Sequence, residues 1–336
     1  MTFSCIMEGE CFLGKVTIMK KKRWTKIIVG CLSILLIIDV IEGFYFYNLA
    51  IERNVKDFLV GNADLEVSAE AMDEFLEGDW REWVDTQDFE QWEMTSFDDL
   101  KLQGYYLEAK KPTNKTVVFA HGYLGRAQDM GLYGEYYYEK LGYNILTVDM
   151  RGHGKSEGDY IGFGWHDRLD LIDWVNLLVE KNGPTSEVVL HGVSMGGAAV
   201  LMASGETLPD NVKAIVADSP YSSVYDLFSY QLKRMFHLPA IPVLPTTSLV
   251  TEMNAGYTLT EASALDQVKK AQVPILYVHG NDDTFVPTHM TKELYENTKS
   301  EAEIMTFDDA GHGEAFVVDQ DKYVEKMNAF LQKYVK

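Results

Sequence analysis

Beyond residue 31 the chain has no cysteine; Cys5, Cys11 and Cys31 are its only three. The rest of the chain therefore carries neither a disulfide nor a reactive thiol and tolerates any redox compartment. Metal-site spacing is absent too. No HExxH or CxxC occurs, so no metal and no cofactor is expected. Basic charge is scarce: residues 52–336 hold 24 basic and 47 acidic side chains, a net of −23. That balance excludes the usual nucleic-acid footprint, favours solubility and argues against tight docking on anionic lipid surfaces.

Against these absences stands one serine. Ser194 sits in Gly192-Val193-Ser194-Met195-Gly196, after the apolar run Val188-Val189-Leu190 and before the small-residue run Gly196-Gly197-Ala198-Ala199. The pattern reads as strand, sharp turn, helix, with the serine at the apex. A turn this tight strains the serine backbone and needs small flanking residues. G-x-S-x-G alone arises by chance in roughly one chain of this length in ten, so its partners decide the matter. A serine hydroxyl is a poor nucleophile near neutral pH. It needs an imidazole to take its proton and a carboxylate to orient that imidazole, in the chain order Ser, acid, His.

His312, between Gly311 and Gly313 after the apolar run Ile304–Phe307, is the histidine candidate and is expected on a mobile, uncrowded loop. Asp283 follows the buried-type strand Ile275–His279 and is the acid candidate. Its neighbour Asp282 is an alternative, as is Asp218 one strand earlier, although Asp218 suits a turn cap before Ser219-Pro220. An oxyanion hole needs two inward N–H groups. Met195 supplies one at the start of the helix. Tyr123 supplies the other, after Gly122 turns the chain at the end of Thr116–Ala120. His121, His153, His191 and His279 lie near the same edge and are read as structural hydrogen-bonding residues.

With these residues in place, the chain resembles the α/β-hydrolases of the serine esterase and lipase superfamily, most closely the membrane-anchored hydrolases of Gram-positive bacteria. The resemblance rests on His121-Gly122-Tyr123, the loop Asp149–Gly158, the turn around Ser194, and Gly280-x-x-Asp283-x-x-Val286-Pro287 with Gly311-His312-Gly313. It covers residues 95–336 and implies serine chemistry without naming a substrate. The family carries its acid at the fourth position of the G-x-x-D-x-x-V-P run, which selects Asp283 over Asp282.

The remaining pattern suits that fold: a mostly parallel central sheet flanked by helices. An entry hairpin is expected from Glu93–Phe97 and Leu100–Leu107. Strands and helices then alternate, with helices near 126–140, 165–181, 288–299 and 320–335. Residues 221–270 interrupt the alternation. This stretch is rich in apolar side chains, with prolines at 239, 242 and 245, and is expected to form a small helical cap whose greasy wall faces an acyl group.

Residues 1–26 are expected to form a cytoplasmic basic N-terminus, ending in Lys20-Lys21-Lys22-Arg23 and Lys26. Residues 27–47 follow as a transmembrane anchor of 21 residues, about 31 Å as a helix. Basic residues on the N side place the catalytic domain outside the cell, and Phe44-Tyr45-Phe46-Tyr47 would form an aromatic belt at the far interface. Asp39 and Glu42 interrupt the span on one helix face. A cleaved signal peptide over Ile27–Ile38 is the competing reading, but no small-x-small cleavage site follows. Residues 48–94, acidic and carrying Trp80, Trp83 and Trp92, are expected to form a linking arm.

The expected function is a serine hydrolase acting on a small-molecule acyl ester at the cell membrane. The alternatives are a peptidase or amidase using the same residues, and a catalytically silent envelope binding protein. Met19 is a further expected start of translation, since Met19-Lys20-Lys21-Lys22 opens an anchor and residues 1–18 have no targeting character. Mass spectrometry of the intact product is expected to give a chain beginning at Met19; peptides from 1–18 would end that reading.

Overall fold

The structure, a computed structural model, describes residues 4–54, 56, 74, 75 and 77–336, with side chains described from Trp24 onward. Eight strands form one sheet: β1 Glu90–Thr95, β2 Lys101–Leu107, β3 Lys115–Ala120, β4 Asn144–Val148, β5 Glu187–Val193, β6 Val212–Asp218, β7 Ile275–Gly280 and β8 Ala302–Phe307. Their order is β1-β2-β4-β3-β5-β6-β7-β8. β2 runs antiparallel to both neighbours, and β4 through β8 pair in parallel.

The helices in the described residues are α1 Ser4–Phe46, α2 Asp79–Thr86, α3 Gly131–Tyr136, α4 Asp167–Asn182, α5 Met195–Ser204 and α6 Val224–Phe236. They continue with α7 Val243–Ala255, α8 Ala264–Val268, α9 Thr288–Asn297, α10 Ala315–Val318 and α11 Gln320–Tyr334. Alternation along the strands explains the layers. Val118 and Leu190 point to one face of the sheet, into a core shared with α4, α5 and the helices after β6. Val117, Phe119 and Val189 point to the other face, against α3, α10 and α11. Both faces are covered, so the central strands are apolar throughout. Every residue of α5 is buried, which is why its sequence is almost entirely small and apolar.

The first strand of the entry hairpin lies earlier than expected, and the second nearly matches. β1 ends at Thr95 because Ser96 starts the turn: its hydroxyl donates to Asp98 (2.5 Å) and accepts from Leu100 N–H (2.9 Å). The expected helix near 126–140 is broken into a 3-10 turn (Ala127–Met130), α3 and a π-turn (Tyr137–Leu141). Gly131 sits where α2 crosses, and a Cβ there would lie 2.2 Å from Val84 Cγ2 and 2.9 Å from Trp80. The described residues of the expected linking arm thus pack on the hydrolase body through Trp80 and Val84. Residues 57–73 of the arm lie outside the described residues.

Trp24–Ile51 is long and apolar enough to cross a membrane. Its end differs from a free span. Phe44 and Tyr45 are exposed, whereas Phe46 and Tyr47 are buried in the hydrolase core, so only half of the expected aromatic belt faces outward. Phe46 meets Phe236 edge-on at 5.2 Å. The Thr246 hydroxyl of α7 donates to Asp39 (2.6 Å), and Gly43 lets Thr246 approach so closely that a Cβ would lie 2.7 Å from its methyl group. One of the two charges that interrupt the span therefore has a partner in the body.

The loop after β4 is held by Arg151, whose side chain has no exposure. It bonds both oxygens of Asp170 (2.7 and 2.8 Å) and both of Asp98 (2.9 and 3.2 Å). It also donates to the Tyr160 hydroxyl (2.8 Å). Removing one partner of such a buried pair strands the other charge. Arg151→Ala is expected to lower the unfolding free energy by about 3–5 kcal/mol, measured as a fall in the urea midpoint of the detergent-solubilised chain.

Candidate active site

Ser194 joins β5 to α5 with φ 56° and ψ −115°, a left-handed conformation that a non-glycine residue adopts only under constraint. The constraint comes from close packing on both sides. A Cβ on Gly192 would lie 2.1 Å from Gly196 O, and one on Gly196 would lie 2.0 Å from Ala120 O. Ser194 N–H donates to Asp218 O (2.8 Å). The hydroxyl is thereby held up at the carboxyl edge of the sheet, where such folds place their sites.

The structure brings three of the expected residues together. His312 Nε2 is 2.7 Å from Ser194 Oγ, and His312 Nδ1 is 2.7 Å from Asp283 Oδ2. Two hydrogen bonds hold the His312 loop. Gly311 N–H donates to Glu314 (2.8 Å), and Gly313, at φ +71°, donates to the Ser219 hydroxyl (3.2 Å). Asp283 Oδ1 accepts from Phe285 N–H (2.8 Å) and Val286 N–H (2.7 Å), which aims Oδ2 at the imidazole. Asp282 is exposed, and its backbone N–H bonds Ala310 O (3.0 Å). Asp218 lies beneath the site, fully buried, bonded by Ser219 (2.9 Å), Tyr323 (3.1 Å) and Tyr133 (3.3 Å).

Electrostatics set the proton inventory. Burial alone would raise the Asp283 pKa; the charge of His312 and bonds from two imidazoles outweigh it and hold the carboxyl well below its usual range. Burial favours neutral His312, but Asp283 outweighs it and holds the imidazole above its ordinary 6.5. The second imidazole on Asp283 is His279, a contact that sequence reasoning missed. Its Nε2 lies 3.0 Å from Asp283 Oδ2 and 2.8 Å from Val286 O. Both partners are acceptors, so Nε2 carries a proton. The available signal was its position at the end of β7, four residues before Asp283.

Two further histidines shape the loop that carries Tyr123. His121 Nε2 accepts from Met150 N–H (3.0 Å) and His153 Nε2 from Leu124 N–H (3.2 Å). Burial depresses both, to about 4 and about 3, so they serve as neutral acceptors. Gly122 lies against Ser194; a Cβ there would be 3.5 Å from Ser194 Cβ. Tyr123 therefore borders Ser194 on one side. Met195, first in α5, borders it on the other, among N–H groups a helix start leaves unpaired. His191, depressed to about 3 by burial, packs beneath the sheet against Tyr323. Among the described residues no group of three or more His, Cys, Asp or Glu side chains converges as a metal site requires.

Two cavities meet at Ser194. One is small and apolar, about 90 Å³, walled by Phe163, Leu227, Phe228, Met235 and Phe285 with the end of the apolar N-terminal helix. The other is a wider cleft of about 490 Å³ that exposes His312, Arg81, Asp129, Asp282 and Thr284.

Residues 133–336 match the profile of the prolyl oligopeptidase family. The chain is 28% identical to Bacillus subtilis YqkD over 73% of its own length and 81% of that protein. Among solved structures it is similar to the Pyrococcus furiosus esterase Pf2001: 25% identity, TM-score 0.63, covering 76% of this chain and 94% of that one. A Pyrococcus horikoshii acylaminoacyl peptidase shares the fold at 21% identity and TM-score 0.55, over 75% of this chain and 43% of that one.

A base must be neutral to take the serine proton. The rate at which a fluorophosphonate labels Ser194 is therefore expected to rise with pH through a midpoint above 6.5, the direction in which Asp283 shifts His312. A midpoint below 6.5 in a labelling-rate profile would contradict the Asp283 contact.

Proposed function

The chain belongs to the prolyl oligopeptidase family, and from that premise we propose that this serine hydrolase cleaves carboxylic esters at the cell envelope through an acyl-enzyme. The observation that carries the reading is the unbroken pair of 2.7 Å hydrogen bonds from Ser194 through His312 to Asp283, beside a cavity with apolar walls. Ser194 Oγ attacks the acyl carbon while His312 Nε2 takes its proton. Asp283 keeps Nδ1 protonated and stabilises the imidazolium that forms. The N–H groups of Tyr123 and Met195 take the negative charge of the tetrahedral intermediate. His312 returns the proton to the departing alcohol, and water repeats the sequence to release the acid. The likeness to a solved esterase supports this substrate class.

Trp24–Ile51 is the anchor in this reading. The basic cluster before it keeps the N-terminus in the cytoplasm and the catalytic body outside. Its last turns form part of the apolar cavity wall at Phe46, Leu49 and Ala50. A second reading, amide cleavage, draws on the family's description and on the exposed Asp282 carboxylate in the wider cleft, which suits an amine.

Fluorophosphonate labelling is expected for the unsubstituted chain and absent for Ser194→Ala; equal labelling of both would refute the nucleophile. p-Nitrophenyl acyl esters are expected to turn over faster than aminoacyl-nitroanilides. The opposite ranking would establish the amide reading in its place.

A further inference from the structure

We propose that His279 is a positioning residue of the candidate site: by donating to the same Asp283 oxygen that holds His312, it limits how strongly Asp283 favours the charged form of that imidazole. This role rests on the serine-hydrolase reading above and adds one residue to it.

His279 is the last residue but one of β7 and is fully buried. Its Nε2 is 3.0 Å from Asp283 Oδ2, the oxygen that lies 2.7 Å from His312 Nδ1. Nε2 also faces Val286 O at 2.8 Å, so it is the nitrogen that carries the proton. The other nitrogen is served by α9: Thr291 Oγ1 is 2.6 Å from Nδ1 and 3.1 Å from Pro220 O. A threonine hydroxyl has one proton. The shorter contact takes it, which fixes the Nε2–H tautomer. Asp283 thus accepts on both oxygens before His312 is counted: on Oδ1 from Phe285 and Val286 N–H, on Oδ2 from His279. His279 lines neither cavity at Ser194, so it acts on the reaction through Asp283 and not on the substrate.

Two donors on one carboxylate oxygen compete for its charge. A hydrogen bond to the ionised form lowers a carboxylate's affinity for a proton, and a less basic Asp283 favours the His312 imidazolium less. The need for such a limit lies in the acid around His312. Burial opposes the charge of that imidazole, but Asp283, Asp218 at the end of β6 and Glu314 in its own loop all favour it. An imidazole held too firmly in its charged form cannot take the Ser194 proton near neutral pH. On Asp283 itself, burial raises the pKa, while the charge of His312 and the bond from His279 bring it down. Asp218, fully buried, is the other carboxylate within electrostatic reach of His279. Thr291 completes its polar surroundings from α9.

The test is the pH profile of the rate at which a fluorophosphonate labels Ser194, with the full chain solubilised in detergent. His279→Leu removes the donor, while the two backbone bonds on Oδ1 keep Asp283 aimed at His312. The midpoint is expected to rise by about half a pH unit or more, since a carboxylate freed of one donor pulls His312 further towards the imidazolium. His279→Gln carries an amide N–H to the place of Nε2 and is expected to return the midpoint to that of the unsubstituted chain. Thr291→Val removes the hydroxyl at Nδ1, weakens the Nε2–H donor and is expected to raise the midpoint by a smaller step. It decides the matter if His279→Leu does not fold. A residue that only fills space would change the amount of folded protein and leave the midpoint in place. An unchanged midpoint in folded His279→Leu or, failing that variant, in Thr291→Val overturns the proposal. A His279→Gln midpoint as high as that of His279→Leu overturns it too. Each of these results leaves the hydrolase reading standing, because Ser194 still takes the fluorophosphonate. Failure of the unsubstituted chain to label would instead remove the hydrolase reading.

Discussion

The left-handed backbone of Ser194 is the constraint from which the site follows. At φ 56° the chain leaves β5 and enters α5 within one residue, and this is possible only because Gly192 and Gly196 let strand, helix and the end of β3 approach to backbone contact. The same approach sets Gly122 against the serine, and so Tyr123 beside it. It also places Ser194 where loops after β7 and β8 reach it. Stored strain of this kind persists only when the surroundings over-determine it. Here they do so through a fully buried α5 and a sheet covered on both faces.

Charge at the site is organised around one carboxylate. Asp283 accepts from two backbone N–H groups and two imidazoles, so it stays ionised although it is buried. Asp218, deeper and held by two tyrosines and a serine, has its pKa raised by burial. The neighbouring histidines divide in the same way. His121 and His153 are neutral pins for a loop, while His312, facing Asp283, alone bonds the serine oxygen. Environment rather than residue type sorts these groups into scaffold and chemistry.

The N-terminal helix is built into the body at its far end. Its apolar length is what a bilayer requires, but its last turns are core residues of the catalytic body. Tyr123 joins them directly to the loop beside Ser194 through Ala50. Asp39, costly within a span, has a hydroxyl partner on α7. The apolar helix and the candidate site therefore share residues.

Much of the site was legible in the sequence because its steric demands leave local traces. Gly192, Gly196, Gly122, Gly311 and Gly313 mark close approaches, and the runs before them mark strands whose carboxyl ends must lie together in a parallel sheet. The family pattern of the β7 turn distinguished Asp283 from Asp282. Local pattern did not reveal the start of β1, which a side-chain turn at Ser96 decides. Nor did it reveal the broken helix near Gly131, which depends on α2 crossing from fifty residues away. The second imidazole on Asp283 and the burial of Phe46 and Tyr47 were equally hidden. Sequence alone placed most strands and helices and singled out Ser194, Asp283 and His312, which the structure brings into contact, because periodicity and glycine placement act over a few residues. Only the tertiary structure decided what surrounds them, namely which histidines stay neutral and that the apolar N-terminal helix ends in the wall of the cavity beside Ser194. Burial and electrostatics depend on residues far apart in the chain.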